Sequence, residues 1–100
     1  MRTQPTAPAP ATSSAASNVA SSASSVTILA ANAARRGATV FNDSTAVLYL
    51  LMGAGTASTS NYSLQMAALT YFEAPFGFTG QLTGIWAAAN GNARLTEVTA

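Results

Sequence analysis

The chain has no histidine, no lysine and no cysteine among its 100 residues, and only seven of them carry a charge. These are Arg2, Arg35, Arg36, Arg94, Asp43, Glu73 and Glu97. The missing residue types exclude whole classes of chemistry. Without cysteine there are no disulfides, no thiolate metal sites and no thiol nucleophiles. Without histidine or lysine, a serine or threonine hydroxyl lacks the usual base that would activate it. The three carboxylates lie on three separate segments, and no loop has the dense acidic spacing of a calcium site. The expectation is therefore a protein with no catalytic residues, no cofactor and no metal. A net charge of +1 gives little with which to neutralise a phosphate backbone, so no nucleic-acid partner is expected. The longest apolar run, 46–54, is broken by Gly53 and is about half the ~20 residues that cross a bilayer as a helix. No membrane partner is expected, and the start of the chain shows no apolar signal-peptide core.

What is present divides into two parts. In residues 1–25, twenty of the twenty-five are Ala, Ser, Pro or Thr, and Val19 is the single branched apolar residue. Such a stretch offers little apolar burial against an ordering cost of about 1–2 kcal/mol per residue. It reads as an extended low-complexity arm, either a disordered tail or linker or a segment ordered by contact with other chains. Residues 26–100 read as a β-sandwich domain. Short runs of strand-forming residues recur there between turn signals: Val26 to Ala30, Ala38 to Phe41, Val47 to Met52, Tyr62 to Ala67, Tyr71 to Glu73, Thr79 to Trp86 and Ala93 to Val98. Asn42-Asp43-Ser44-Thr45 reads as a turn cluster, and Asn90-Gly91 as a two-residue hairpin signal. Both Asn42-Asp43-Ser44 and Asn61-Tyr62-Ser63 match the glycosylation sequon, a weak motif. Ala30 to Arg36 (AANAARR) reads as a loop or a single turn. The fold class is all-β: a small antiparallel β-sandwich or barrel with an extended N-terminal arm.

Low net charge favours association, since little repulsion keeps copies apart. Val47 to Met52 is apolar on both faces, which suits a central strand covered on its outer side by a neighbouring copy. Phe72, Phe76, Phe78 and Trp86 lie close together in sequence, and oligomerisation accounts for them. The expected interface residues are Arg35, Arg36, Tyr71, Phe72, Phe76, Phe78 and Trp86. Within that set, the adjacent arginines suit bidentate pairing with a carboxylate of a partner. Tyr71, Phe72, Phe78 and Trp86 would alternatively form the stacking platform of a carbohydrate-binding module.

The succession Ile28-Leu29-Ala30-Ala31-Asn32, Arg35-Arg36-Gly37, Phe41-Asn42-Asp43-Ser44, Leu48-Tyr49-Leu50, Gly53, Tyr62-Ser63-Leu64, Glu73-Ala74-Pro75, Phe78-Thr79-Gly80, Gly84-Ile85-Trp86 and Thr96-Glu97 resembles a family of small tailed-bacteriophage proteins. Genes of that family lie with those for capsid and tail. The resemblance spans about residues 26 to 99, excludes the arm, and rests on many weakly specific positions. It implies a virion structural component present in many copies, with no catalytic residues to carry over. The expected role is capsid decoration (a cement protein), as a homo-oligomer and in particular a trimer. The partner would be the major capsid protein or another virion structural protein, and the assembly site the host cytoplasm. A tail or head-fibre adaptor is the alternative within the same class.

Overall fold

Hydrophobic alternation at a period of two sets the architecture. In the computed structural model, which describes residues 10–100, the strands are β1 (Ser13–Ala20), β2 (Val26–Leu29), β3 (Arg35–Ser44) and β4 (Leu48–Met52). They are followed by β5 (Leu64–Met66), β6 (Tyr71–Glu73), β7 (Leu82–Trp86) and β8 (Gly91–Thr99). The strands form two four-stranded antiparallel sheets, ordered β1-β8-β3-β6 and β2-β7-β4-β5, and no helix occurs among the described residues. The all-β sandwich expected from the sequence is the observed fold.

Strand β3 illustrates the pattern. Ala38, Val40, Asn42 and Ser44 are buried against the other sheet, while Thr39, Phe41 and Asp43 alternate outward and are half-buried. Leu48 and Leu50 of β4, Leu82 and Trp86 of β7, Ile28 of β2 and Met66 of β5 meet Val40, Ala93 and Leu95 in one core. Gly84 makes room for this packing. A Cβ there would lie 2.9 Å from Leu48 Cδ1 and 3.0 Å from Ile28 Cγ1, inside the normal contact distance.

Several expectations are corrected. Ser13–Ala20 finds a partner within its own chain. It forms a regular ladder with β8 of its own sandwich, from Ser13 opposite Thr99 to Ala20 opposite Asn92. The physical reason is the open side of β8, whose backbone groups need partners wherever water does not serve them. Val19, opposite Ala93, adds an apolar contact with the core. Residues 13–20 of the supposed arm are thus a strand of the sandwich, and residues 1–9 lie outside the described residues. The turn expected at residues 42–45 begins later, because β3 continues through Ser44. The outer side of β4 is partly covered by its own chain: the segment between β4 and β5 folds back so that Tyr62 packs on Tyr49, ring centroids 5.1 Å apart, while Tyr49 and Leu51 stay half-buried. Ala57 N donates to Thr83 Oγ1 (3.2 Å) and pins that segment to β7.

Asn90-Gly91 does not close a hairpin, because β7 and β8 belong to different sheets. Gly91 has a φ of 140° and packs directly on β3, where a Cβ would clash with the Asp43 carbonyl and lie 2.9 Å from Ser44 Cα. Asn90 Oδ1 accepts from Thr45 N at 3.1 Å. The dipeptide joins the two sheets instead of reversing one strand onto its neighbour.

If β1 belongs to the sandwich, deleting residues 1–21 should destabilise it. Loss of the β1–β8 ladder and the Val19 contact should cost about 1–2 kcal/mol, or roughly 5–15 °C in Tm. Scanning calorimetry on the truncated chain checks this, and an unchanged Tm would show that β1 adds nothing to the fold.

Candidate functional site

Two buried polar clusters fix the ends of the sandwich and determine which side chains remain for a partner. The first is centred on Arg35, whose side chain is fully buried. Its Nε donates to Glu97 Oε2 at 2.7 Å, and Nη1 donates to the carbonyls of Gly80 (2.6 Å) and Phe78 (3.3 Å). Nη2 donates to the Ala30 carbonyl at 2.6 Å. Glu97 also accepts from Asn32 Nδ2 at 3.2 Å. The planar guanidinium thus ties β3 and β8 of one sheet to the loops flanking β2 and β7 of the other. Arg35 finds its carboxylate within its own chain, contrary to the expected partner contact, and has no surface to offer.

The second cluster is centred on Asn42, also fully buried. Its Nδ2 hydrogens are shared among the carbonyls of Ala46 (2.9 Å), Met66 (3.0 Å) and Ala67 (3.2 Å). Its Oδ1 accepts from Ser44 Oγ at 2.7 Å and from Trp86 Nε1 at 3.1 Å. Trp86, expected at an interface, is instead a core residue whose single polar atom is satisfied inside. The Asn42 sequon is inaccessible in the folded chain for the same reason.

The remaining expected residues separate by face. Phe72 and Phe78 are partly buried and pack against the core. Tyr71 and Phe76 stay at the surface, 68% and 70% exposed. The platform of Tyr71, Phe72, Phe78 and Trp86 required for sugar stacking is therefore not assembled on one face. What does come together lies on the outer face of the β1-β8-β3-β6 sheet. A shallow, mostly apolar groove of about 140 Å³ runs there over Gly37 and Thr39 of β3 and Thr96 and Val98 of β8. Ala74 and Phe76 wall it, and Arg36 and Glu73 are its charged residues.

A register irregularity between Arg35 and Gly37 allows Arg35 to point inward while its neighbour lines the outer groove. Arg36 Nε is buried and has no hydrogen-bond acceptor among the described residues. Such a donor costs about 1–3 kcal/mol until an acceptor meets it. Asp43, read as a turn residue, lies within β3 and accepts from Arg94 Nε at 2.9 Å in an exposed ion pair. The described residues contain no group of three His, Cys, Asp or Glu side chains close enough to hold a metal ion. Comparison of the chain with protein families, with curated proteins and with solved structures finds no match.

Asn42→Ala should be among the most damaging single changes. It leaves the Trp86 N–H without its acceptor and takes the amide donor from the Ala46, Met66 and Ala67 carbonyls in a dry interior, a loss of about 3 kcal/mol. Arg35→Met should cost a similar amount by taking the donor from Glu97 Oε2 and from three carbonyls. Urea titration followed by Trp86 fluorescence reads both. A loss below about 1 kcal/mol for either would contradict the role given to its cluster.

Proposed function

We propose that this protein is a virion structural component, a decoration (cement) protein that binds the outer surface of an assembled phage capsid. The observation that carries this reading is the outer face of the β1-β8-β3-β6 sheet. There Phe76 walls the groove and Tyr71 of the adjoining β6 is exposed, two large aromatics beside a surface with few charges. Exposed aromatics around an arginine are the composition of a protein-binding surface, and a groove this shallow suits a protein segment better than a small molecule. The unpaired Arg36 Nε would meet a carbonyl or carboxylate of the capsid subunit. The resemblance to small tailed-phage proteins supports the same reading. The two internal clusters account for Arg35, Glu97, Asn42 and Trp86, which serve the fold and not the partner.

The test uses undecorated capsid shells and isolated tails of a tailed phage that encodes this chain. Purified protein is mixed with each, and bound copies are measured after sedimentation. Saturable binding to shells, in fixed ratio to capsid subunits, is the expected result. Binding only to tails would move the protein to an adaptor role, and binding to neither would overturn the virion reading. Tyr71→Ser and Phe76→Ser together should weaken shell binding by about tenfold or more. Because both side chains are exposed, the Tm should stay within about 2 °C of the parent.

A further inference from the structure

Among the described residues, β1 is the longest strand at a sheet border. Strand β1 lies at the border of its sheet, and seven of its eight residues are exposed, so among the described residues little covers its faces beyond the contact of Val19 with the core. The other sheet borders are short. Strands β5 and β6 have three residues each, and β2 has four with a register irregularity. Proteins that keep a long edge unpaired usually protect it with a charged side chain, a proline or a bulge. Between Ser13 and Ala20 there is no charged residue and no proline, and the register with β8 is regular throughout.

The ladder also shows which groups are open. Ser21 N donates to Gly91 O at 2.9 Å, and residues that exchange bonds alternate along an antiparallel pair. Odd-numbered residues of β1 therefore bond to β8. Ser14, Ala16, Asn18 and Ala20 turn their N–H and C=O groups to the open side.

We infer that β1 pairs antiparallel with β1 of a second copy about a two-fold axis, joining the two sheets edge to edge into one of eight strands. The strand is suited to its own copy because every side chain in it is uncharged, and all but Asn18 and Val19 are Ser or Ala. A strand carrying one sign of charge would repel itself across such an axis. The register follows from the alternation. Centring the axis on Ser17 sets Ala16 opposite Asn18 and Ser14 opposite Ala20, so all four outward-facing residues bond. On the inner face it sets Val19 opposite Ala15, an apolar match, whereas centring on Ala16 would set Val19 opposite Ser13. Two Ser17 side chains then meet at the axis as a non-hydrogen-bonded pair, with Cα atoms about 4.5 Å apart. The shared edge is about 26 Å long, from eight residues at roughly 3.3 Å each. That is a small interface, with a dissociation constant on the order of 10–100 μM. This pairing does not depend on the capsid reading.

The experiment is sedimentation velocity on the full chain from micromolar to millimolar concentration. The wild type should pass from monomer to dimer. Ser17→Lys and Ser17→Glu each place like charges opposite one another at the axis and should raise the dissociation constant about fivefold or more. An equimolar mixture of the two should recover dimer, because Lys then faces Glu. Ser17 is exposed in the monomer, so both variants should keep the parent Tm. Ala16→Pro removes an N–H on the open side and leaves the β8 ladder intact, and it should also abolish the dimer. A chain that stays monomeric at millimolar concentration, or forms a trimer, overturns the proposal. So does a dimer indifferent to both Ser17 variants, or a Lys–Glu mixture that fails to recover association.

Discussion

The sandwich depends on one buried amide. Asn42 sits on the inner face of β3, where its neighbours along the strand are Val40 and Ser44. Its side chain reaches across to backbone carbonyls beside β4 and β5 and to the indole of β7. Its backbone holds the approach to β6, through Asn42 N to Thr70 O and Leu69 N to Asn42 O, both 2.9 Å. Leu69 adopts a left-handed φ of 61° in doing so, a strain of about 1–2 kcal/mol that the contact must offset. Apolar packing alone holds two sheets together without fixing how they slide. A primary amide with every group satisfied admits one relative placement, and this fixes the sheets in register at one end.

Arg35 does the equivalent at the other end of β3, so a single ten-residue strand carries both locks. This matters because of the topology. Of the seven connections between consecutive strands, only β4 to β5 stays within one sheet. Every other connection crosses the core, so neither sheet can form without the other. Almost all pairing is then distant in sequence, which makes folding slow and cooperative and leaves few local hairpins to guide it. Polar contacts that are satisfied only when both sheets are docked penalise mispaired alternatives, because each wrong pairing buries an arginine or an amide without partners.

This also explains what was legible in the sequence. The apolar strands announce themselves, since Val26 to Leu29, Leu48 to Met52 and Leu82 to Trp86 carry enough branched and aromatic residues to be read locally. The polar decisions are made by distant residues. Asn42 lies in a run, Asn-Asp-Ser-Thr, that has the chemistry of a turn. Continuing the alternation of Ala38 and Val40 by one more step would have placed it in the core. Arg35 reads as an interface residue because an arginine needs a carboxylate, and Trp86 because it lies near three phenylalanines in sequence; their partners lie 62 and 44 positions away. Ser13–Ala20 has no period to read, and only the open edge of β8 makes it a strand. Asn90-Gly91 has hairpin chemistry, yet Gly91 is required for close approach to Ser44. Of the candidate site, Tyr71, Phe76 and Arg36 were legible as residues, but the groove joining Arg36 and Phe76 comes from the bulge beside Arg35.

The distribution of charge connects the interior to the surface. Arg35 and Glu97 are paired inside, and Arg94 and Asp43 neutralise each other on the outer sheet face. Among the described residues, Arg36 and Glu73 are the charged side chains outside an ion pair, and both line the groove. The rest of the surface is therefore close to neutral, with little charge repulsion to keep like surfaces apart. A chain that places its few charges in structural pairs forgoes the usual protection of an edge strand. Such a surface is a liability for a dispersed monomer and an advantage for a subunit that is used assembled, where neutral edges and exposed aromatics become contacts.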